Sequence, residues 1–452
     1  MTNRSTTIEA PADGGEGAAD GGARPGVVVL SLKAPDQEAL RVLPLVDGGR
    51  LVVGRGPEAD VPIADDLLSR RHVQLERIRD AFRVSDLGSK NGSYFDGERV
   101  TSPVGGVSRG LVRIGSHALL LGPDVGPLVG GSVRIEGGLV LGPRLARVLS
   151  SIAQLSKVSK VLFLSGETGT GKESCARAFH DAADRTSPFV AVNCATIPHP
   201  IAERLLFGAK KGAYSGADGD SEGYLHAADG GTLFLDEIAE LDLEVQAKLL
   251  RALETQSVTR LGATRPEAVS VRVCSATHKD LRAEVARGRF RADLFYRLAK
   301  PAVEVPPLRE RLEDLPRLVA AVARGISERN TLHPTLLEAC LIRPWPGNLR
   351  ELIADVRAAA LAARAEGDGP IRDRHLAPDA GRPLAPEAGD DTEAAPPAAL
   401  PDDERIERTL ASVGGNVSAA ARALGAHRTQ LRRWLARRAP RTTAGGTGSS
   451  ED

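Results

Sequence analysis

The segment GETGTGKE, residues 166–173, is the most informative stretch of this 452-residue chain. It follows the apolar run VLFL at residues 161–164, which has strand character, and it precedes a segment with the composition of a helix start. A glycine-rich turn between a strand and a helix directs backbone N–H groups towards an anion, and the helix N-terminus adds partial positive charge. The sequence therefore predicts a phosphate-binding loop in which Lys172 reaches the β- and γ-phosphates of a nucleotide.

Two consecutive carboxylates support a nucleotide site. Asp236 and Glu237 follow TLFL at residues 232–235, which is typical of a buried parallel strand. Because such a strand delivers its carboxyl end beside the phosphate loop, we expect Asp236 to bind Mg²⁺ through water and Glu237 to orient or deprotonate the attacking water. The generic phosphate loop has Ser or Thr after its lysine to hold the metal, whereas this chain has Glu173.

These motifs resemble a known family, the AAA+ ATPase domain of bacterial enhancer-binding proteins that activate sigma-54 RNA polymerase. GETGTGKE, glutamate included, is similar to that family's phosphate loop, and GAYSGA at residues 212–217 is similar to its GAFTGA loop. Tyr214 replaces Phe and Ser215 replaces Thr in this loop. The resemblance implies that the loop contacts sigma-54 through Gly212, Ala213, Tyr214, Ser215, Gly216 and Ala217.

Further motifs of the same family carry the sensing of nucleotide state. Asn193 in AVNCA matches the family's switch asparagine, which pairs with the glutamate that corresponds to Glu237. The segment CSATHKDL at residues 274–281 resembles sensor I, with Thr277 matching and His278 standing where the family usually has Asn. The resemblance therefore implies coupling between hydrolysis and movement, with a departure at His278.

Three arginines match family residues that act during hydrolysis. Arg291 and Arg297 in FRADLFYRL have the spacing of arginine fingers, which complete the site of a neighbouring subunit, and Arg350 in WPGNLREL matches sensor II. The implied assembly is a ring of identical subunits, a hexamer or heptamer, and the resemblance covers about residues 138–366. The predicted catalytic residues are Asp236, Glu237, Asn193, Arg291, Arg297 and Arg350. The predicted nucleotide-binding residues are Gly166, Glu167, Thr168, Gly169, Thr170, Gly171, Lys172, Glu173 and Thr277.

A different pattern precedes the ATPase segment. From residue 27 to about residue 122, short apolar stretches recur about every ten residues and are separated by Gly, Asp and Pro. This spacing predicts an all-β sandwich. Within it, GR at residues 54–55, SRRH at residues 69–72 and SKNG at residues 89–92 resemble the forkhead-associated (FHA) domain, a phosphothreonine-binding module.

The FHA resemblance implies a phosphate-binding set in the loops of the sandwich. Arg55 would pair bidentately with phosphate, Ser69 and Arg70 would add donors, and Asn91 would hold the backbone of the ligand peptide. His72 matches a histidine that braces the loop. The alternative is a degenerate sandwich that only packs against the rest of the protein.

The end of the chain predicts an all-α DNA-binding module. Residues 404–438 read ERIERTLASVGGNVSAAARALGAHRTQLRRWLARR, with apolar residues at helical spacing and glycines that end the helices. The segment resembles the Fis-type helix-turn-helix. Basic side chains there would contact phosphates, and residues near the start of the last helix would read base edges. The predicted DNA-binding residues are Arg428, Thr429, Gln430, Arg432, Arg433 and Arg437.

Composition is that of a modular cytoplasmic protein. The formal net charge is zero, so the total charge gives no argument for nucleic acid, and the four cysteines show no CxxC spacing. No apolar run approaches the ~20 residues of a membrane span. The predicted fold is multidomain, with an FHA sandwich, an α/β AAA+ ATPase with a helical lid, and a helix-turn-helix. The predicted boundaries are 1–24 disordered tail, 25–125 FHA domain, 138–305 α/β subdomain, 306–377 lid, 378–401 linker, 402–441 helix-turn-helix and 442–452 disordered tail.

Together these features predict a sigma-54-dependent transcription activator. It would bind enhancer DNA, sense a phosphothreonine-containing protein or a Ser/Thr kinase, and use ATP with Mg²⁺ to remodel the polymerase closed complex. Two alternatives stay open because of His278 and the altered GAYSGA loop. One is a phosphopeptide-dependent DNA-binding adaptor with impaired remodelling, and the other is an AAA+ remodeller of a target other than sigma-54.

Overall fold

The computed structural model describes residues 23–32, 39–184, 186–213, 219–327, 331–367, 369–383 and 402–412, together with Ala420, Leu424 and Trp434. The chain divides into two compact units, Met1–Pro383 and Leu384–Asp452, and each is described by itself. Of the predicted tails and linker, residues 1–22, 384–401 and 442–452 lie outside the described residues.

The first unit begins with the predicted β-sandwich, which the structure confirms. One sheet has the strand order β2-β1-β11-β10-β7-β8 and the other has the order β4-β3-β5-β6-β9. Apolar side chains on the facing sides of the two sheets, among them Val27, Val84 and Leu119, form the sandwich core. The strands are β1 (Gly26–Ser31), β2 (Arg41–Pro44), β3 (Arg50–Gly54), β4 (Val61–Pro62), β5 (Val73–Ile78), β6 (Ala81–Asp86), β7 (Ser93–Phe95), β8 (Glu98–Arg99), β9 (Val104–Val107), β10 (Gly110–Ile114) and β11 (His117–Gly122).

A parallel α/β layer follows a short hairpin made of β12 (Arg134–Glu136) and β13 (Leu139–Leu141). Its central strands are buried, with Leu162, Leu164, Leu233 and Leu235 fully inaccessible, as parallel strands covered on both faces require. The elements are α1 (Pro143–Val158), β14 (Val161–Ser165), α2 (Lys172–Asp181), β15 (Phe189–Asn193), α3 (His199–Phe207), α4 (Tyr224–Ala227), β16 (Thr232–Asp236), α5 (Leu243–Thr255), β17 (Ser257–Val258), β18 (Glu267–Ala268), β19 (Arg272–Thr277), α6 (Leu281–Ala286), α7 (Ala292–Leu298) and β20 (Ala302–Glu304).

The strand order of this layer positions the candidate nucleotide site. The sheet runs β15-β16-β19-β14-β20, and all of its pairs are parallel. β14 and β16, which end at the phosphate loop and at Asp236, are therefore separated only by β19. Side chains at the carboxyl ends of these strands meet at one edge of the sheet.

The predicted helical lid is confirmed as three helices among the described residues: α8 (Leu315–Arg324), α9 (Pro334–Ile342) and α10 (Asn348–Ala365). Trp345 is fully buried between α9 and α10, and its indole nitrogen donates to the Cys340 carbonyl at 2.7 Å. The backbone N–H of Trp345 also donates to the Gly381 carbonyl at 3.1 Å, and Ala380 is buried. The lid packing thus continues past residue 377, the predicted end of the lid, because these small residues fit against Trp345.

The second unit contains α11 (Asp403–Ser412), which agrees with a helix at the start of the predicted DNA-binding module. Ile406 and Ala420 are fully buried and pack with Leu410, Leu424 and Trp434. The Trp434 indole nitrogen donates to Asp403 Oδ1 at 2.6 Å. The predicted DNA-binding residues Arg428, Thr429, Gln430, Arg432, Arg433 and Arg437 lie outside the described residues.

The described part of the chain has no helix that is both long enough and apolar enough to cross a membrane. The four cysteines are buried and unpaired, as expected from their spacing. Burial raises the pKa of the Cys175 thiol to about 11 and that of Cys194 to about 12, so both are unreactive thiols.

Candidate functional site

The phosphate loop has the strand-turn-helix geometry expected of it. It leaves β14 at Ser165 and enters α2 at Lys172, and the turn uses positive φ angles of 77° at Gly169 and 102° at Gly171. Side chains other than glycine are strained in this region of backbone space. The glycines therefore let the loop turn tightly from β14 into the N-terminus of α2, where backbone N–H groups favour an anion.

Lys172 lies inside this loop. Its side chain is buried, and Nζ donates to the carbonyl oxygens of Gly166 at 2.9 Å and Glu167 at 3.1 Å. Burial lowers the pKa of Lys172, and the nearby charges of Glu237 and Asp236 oppose that change. The ammonium group is thus held at the loop by backbone oxygens and lies within electrostatic range of the two carboxylates.

Asp236 and Glu237 occupy the end of β16, and their environments differ. Burial raises the pKa of Asp236, the neighbouring Glu237 charge raises it further, and Lys172 opposes both effects. Burial would also raise the pKa of Glu237, but hydrogen bonds from His278 and Thr277 outweigh it, so the net shift is downwards. Glu237 is consequently kept ionised at neutral pH, as a group that accepts a proton or orients water must be.

Thr277 and His278 act directly on Glu237. The Thr277 hydroxyl donates to Glu237 Oε2 at 3.0 Å, and His278 Nδ1 lies 2.9 Å from the same oxygen. Asn193 makes a different contact, because its side-chain oxygen accepts from the Ala195 backbone N–H at 3.0 Å. In this structure Glu237, the partner expected for Asn193, is therefore hydrogen-bonded to the sensor I residues Thr277 and His278 instead. The sequence showed His278 as a departure but did not indicate this contact.

The lid touches the phosphate loop through residues that the sequence interpretation missed. Arg309 forms a two-point ion pair with Glu167, at 2.6 and 2.8 Å. Asn348 donates to Glu167 Oε2 at 3.0 Å and to the Thr168 carbonyl at 3.1 Å. Buried Arg311 donates to the Thr170 carbonyl at 2.7 Å. The loop and the lid are thus linked by several hydrogen bonds, and Asn348 lies in the WPGNLREL segment that carries the sensor II match.

The remaining predicted loop residues have distinct positions. Thr170 is buried and its hydroxyl donates to the Glu167 carbonyl at 2.9 Å, so it stabilises the turn. Glu173 is exposed in the first turn of α2, where a carboxylate is favoured by the helix dipole. Arg350 lies in the first turn of α10, and its charge acts on Lys172. The structure therefore brings the sensor II candidate to the phosphate loop.

The two arginine-finger candidates lie on another side of the α/β layer. Arg291 precedes α7 and pairs with Asp293 at 2.7 Å. Arg297, in the last turn of α7, is exposed and donates to the Leu253 carbonyl of α5 at 3.3 Å. Their contacts are with α5 and α7, so the structure does not group them with the phosphate loop of the same chain. That placement is what a residue serving a neighbouring subunit requires.

The base of the GAYSGA loop is well defined. Ala209 forms bridges with Ser221 and with Leu261, and Lys210 Nζ pairs with Asp220 at 2.8 Å. Gly212 and Ala213 are described, whereas Tyr214, Ser215, Gly216 and Ala217 lie outside the described residues. The two ends of the loop are thus closed by backbone pairing and one ion pair beside the segment between β17 and β18.

The residues of the site fit ATP with Mg²⁺. Lys172 and the first turn of α2 supply positive charge for phosphates, and Asp236 supplies a hard oxygen ligand for Mg²⁺. Among the described residues there is no group of three or more acidic, His or Cys side chains that could hold a metal by themselves.

The predicted phosphothreonine-binding residues come together at one end of the sandwich. Arg55 is exposed, and its backbone N–H donates to the Ser69 carbonyl at 2.9 Å. The Ser69 hydroxyl accepts from the Lys90 backbone N–H at 3.0 Å, and the Asn91 amide donates to the Leu67 carbonyl at 2.7 Å. Arg70 is exposed beside Ser69. Hydrogen bonds thus join the three loops that carry these residues, and the Arg55 Nε donates to the Leu68 carbonyl at 3.2 Å within them.

His72 is a buried residue that links these loops through hydrogen bonds. It is fully buried, its Nδ1 accepts from the Ser69 backbone N–H at 3.1 Å, and its Nε2 lies 3.2 Å from the Gly92 carbonyl. Burial lowers the pKa of His72, which keeps the ring neutral with the proton on Nε2. The bracing role expected for this histidine agrees with these contacts.

Comparison with protein families matches the three modules separately. The family described as "Sigma-54 interaction domain" matches residues 140–304, the family described as "FHA domain" matches residues 51–110, and the family described as "Bacterial regulatory protein, Fis family" matches residues 402–437. Each match falls within the corresponding predicted module. The fold expected for the three modules is therefore confirmed.

Individual relatives match about two thirds of the chain. The transcriptional regulatory protein ZraR of Escherichia coli (strain K12) is 39% identical over 305 residues, which cover 65% of this chain and 67% of that protein. The anaerobic nitric oxide reductase transcription regulator NorR of Citrobacter koseri is 41% identical over 320 residues, which cover 66% of this chain and 62% of that protein. The crystal structure of NtrX from Brucella abortus is 32% identical, with a TM-score of 0.49, over 65% of this chain and 67% of that chain.

Proposed function

Because this chain belongs to the sigma-54-dependent transcriptional regulators, we propose that it is an ATP-hydrolysing activator that remodels the sigma-54 RNA polymerase closed complex. The observation that carries the proposal is the sheet order, which places the loop that holds Lys172 after β14 and the two carboxylates at the end of β16 with only β19 between those strands. A basic group for phosphates and a carboxylate pair for metal and water are the parts that phosphoryl transfer needs.

Each residue of the site would have a separate role in ATP hydrolysis. The loop backbone and Lys172 would bind the phosphates, and Asp236 would hold the metal through water. Bound Mg²⁺ would neutralise the charge that develops on the phosphates. Glu237 would orient the attacking water, and its present hydrogen bonds to Thr277 and His278 hold the carboxylate away from that task. Hydrolysis would thus require Glu237 to leave these partners, with Asn193 as the alternative partner implied by the family resemblance.

Replacement of Glu237 by Gln tests this assignment. Gln keeps the shape but cannot accept a proton, and positioned acid–base groups typically contribute ~10²–10⁴-fold in rate. We expect Glu237→Gln to bind a fluorescent ATP analogue normally and to lose hydrolysis by about that factor. The matched control is Glu240→Gln, three residues away, whose carboxylate pairs with Lys279 at 2.7 Å. Equal rates in both variants would contradict the role of Glu237.

We further propose that the FHA domain senses a phosphothreonine-containing protein. The support is the joined loop arrangement, in which Asn91 and His72 hold together the loops that carry Ser69 and the exposed Arg55 and Arg70. A phosphothreonine offers a charge of about −1.5 to −2 and three acceptor oxygens, which match two guanidinium groups and a hydroxyl. A Ser/Thr kinase or its product would then supply the signal.

The expected result for Arg55→Ala is loss of phosphopeptide binding. A hydrogen bond to a charged group is worth ~1.5–3 kcal/mol, so removal of a bidentate partner should weaken binding by at least about tenfold. The measurement is a titration of the full chain with a degenerate phosphothreonine peptide library and with its unphosphorylated counterpart. Arg109→Ala, an exposed arginine on the same domain, is the control. Binding that ignores the phosphate, or that survives in Arg55→Ala, would favour a sandwich that serves only for packing.

The other partners follow from the remaining modules. We propose that the Fis-family segment binds enhancer DNA through Arg428, Thr429, Gln430, Arg432, Arg433 and Arg437, and that the protein works in the cytoplasm as a hexamer or heptamer. The contact of His278 with Glu237 keeps the adaptor alternative in view, since a permanent pair would hinder turnover. Opening of a sigma-54 promoter by the unmodified protein would exclude that alternative.

A further inference from the structure

The sandwich has an apolar outer face, which is unusual for a domain of this type. Along β1, Val27 points into the sandwich core, whereas Val28 and Leu30 point outwards and are only 2% and 5% exposed. The outward residues Leu111 of β10 and Ala118 of β11 are equally buried. Antiparallel sheets commonly pair one apolar face with one polar face. The near-continuous apolar runs VVVL and ALLL therefore indicate a sheet covered on both faces.

The cover on the outer face is the lid of the ATPase domain. The outward side chains of β1, β10 and β11 belong to one continuous apolar cluster with the buried side chains of α8, α9 and α10. The sandwich core proper is a separate cluster. The FHA domain and the lid thus share a hydrophobic core, which is the kind of contact that holds two modules together as one body.

An ion pair anchors this interface. Arg113 Nε of β10 donates to Glu338 Oε2 of α9 at 2.5 Å, and the two side chains are 17% and 10% exposed. The Arg113 guanidinium carbon lies 4.0 Å from the centre of the Tyr94 ring on β7. Removal of one partner from so sheltered a pair leaves an uncompensated charge. We call these three residues, Tyr94, Arg113 and Glu338, the seam.

The segment between the two domains ties the lid to the α/β layer as well. Arg317 of α8 donates to the Val133 carbonyl at 2.7 Å, and Arg147 of α1 donates to the Pro127 carbonyl at 2.8 Å. Arg144 of α1 pairs with Glu313 before α8 at 2.8 Å. The FHA domain and its connection to the ATPase therefore contact both parts of the nucleotide site, the lid and the α/β layer.

The seam also lies close to the phosphopeptide loops. Asn91 precedes β7 by two residues, and within β7 Tyr94 is the direct cross-strand neighbour of Arg113. A displacement of the Asn91 loop would thus reach Arg113 through a single short strand. Coupling between sites is carried by such packed, contiguous elements.

From these contacts we propose that the FHA domain packs against the lid, limits its movement and so restrains ATP turnover. A phosphopeptide would change the ATPase activity through the seam. We call this restraint of the lid the brace. The inference rests on the proposed function, since it takes nucleotide and phosphopeptide as the ligands of the two domains. Lid motions commonly limit turnover in enzymes that close over a nucleotide. The lid is hydrogen-bonded to the phosphate loop through Arg309 and Asn348, and it also packs against the FHA domain. It must therefore break more contacts to open than a lid without these partners.

Charge reversal in the full chain tests the brace. Arg113→Glu and Glu338→Arg each place two like charges at the seam, and the double variant restores an opposite pair in reversed order. Arg113→Met is a milder variant, which keeps an apolar stem over Tyr94 and removes only the pair. Arg109→Glu, exposed on the same domain, controls for the change in net charge. The readouts are ATP turnover with and without the phosphothreonine peptide library, and hydrogen exchange of the α9 amides.

The brace predicts faster exchange in α9 and a basal turnover raised by at least about threefold in the single variants, because release of the lid removes a limiting step. The peptide should then produce no further increase, although it still binds, and the reversed pair should restore slow exchange and low turnover. Rates and exchange equal to those of Arg109→Glu, or lower turnover in the single variants, would overturn the brace. Absence of turnover in the unmodified protein and in all single variants, with and without the peptide library, would contradict the proposed function instead, and α9 exchange would still decide whether the seam holds the two domains together.

Discussion

Arg297→Ala is expected to abolish ATP turnover while leaving nucleotide binding intact. Arg297 is exposed at the end of α7, and its contact is with the Leu253 carbonyl of α5 rather than with the phosphate loop of its own chain. An arginine supplied by a neighbouring subunit stabilises the charge of the transition state and is worth ~10³–10⁵ in rate in phosphoryl-transfer enzymes. The loss should appear in turnover and not in the affinity for a fluorescent ATP analogue.

The ring that this role requires provides an independent check. Specific activity of the unmodified protein should rise with protein concentration, because a subunit alone lacks the arginine of its neighbour. The control variant is Arg364→Ala, which removes an exposed arginine from the last turn of α10. Hydrolysis by Arg297→Ala that is undiminished and independent of concentration would show that each subunit works alone.

Ser215→Ala is expected to abolish promoter opening and to leave ATP hydrolysis unchanged. Ser215 stands where the family has the hydroxyl residue that engages sigma-54, and the loop that carries it is closed at its base by Ala209, Ser221 and the Lys210–Asp220 pair. Those base contacts involve no residue of the phosphate loop. The substitution should therefore remove a contact with the target and leave the chemistry of the site as it was.

ATP hydrolysis and promoter opening are measured on the same protein preparation, so that a loss of opening alone can be told from a loss of both activities. Ser187→Ala, which removes a partly exposed hydroxyl that donates to the Asp184 carbonyl elsewhere on the α/β layer, is the matched control. Loss of hydrolysis in Ser215→Ala would mean that the loop affects the nucleotide site. Promoter opening at the level of the control would point to a target other than sigma-54, which is the second alternative left by the sequence.

Local patterns predicted much of this molecule. The phosphate loop, the buried strand before Asp236 and the regular spacing of the FHA strands depend on residues close together in the sequence, so their structures follow from composition and periodicity. The position of Lys172 near Asp236 follows from the general arrangement of parallel sheets. These are the features for which the structure agrees with the sequence interpretation most closely.

The missed features depend on contacts between distant residues. Asn348 meets Glu167 across 181 positions of sequence, and Arg113 meets Glu338 across 225. The periodicity of one segment carries no information about a contact between residues so far apart in the sequence. The apolar outer face of the sandwich was nevertheless visible in VVVL and ALLL, where strict alternation would have predicted polar residues at Val28, Leu30 and Leu120. That departure was the available sign that the sandwich is covered by another domain.

The hydrogen bonds of Glu237 show a further limit of motif matching. Motif position associates this carboxylate with Asn193, whereas the structure gives it Thr277 and His278 as partners. A switch has more than one arrangement, and a sequence motif does not specify which of them is populated. The motif therefore indicates which residues are expected to switch, but it does not indicate which hydrogen bonds they make in a given state.

The most direct test of the whole account is open-complex formation in vitro. The purified chain is mixed with sigma-54 RNA polymerase, a template that carries an enhancer and a sigma-54 promoter, and either ATP or a non-hydrolysable analogue, and strand opening is followed with a single-strand-specific reagent. The account predicts opening with ATP, none with the analogue, and none with a holoenzyme that carries a different sigma factor. Hydrolysis of ATP without any opening of the sigma-54 promoter would contradict it.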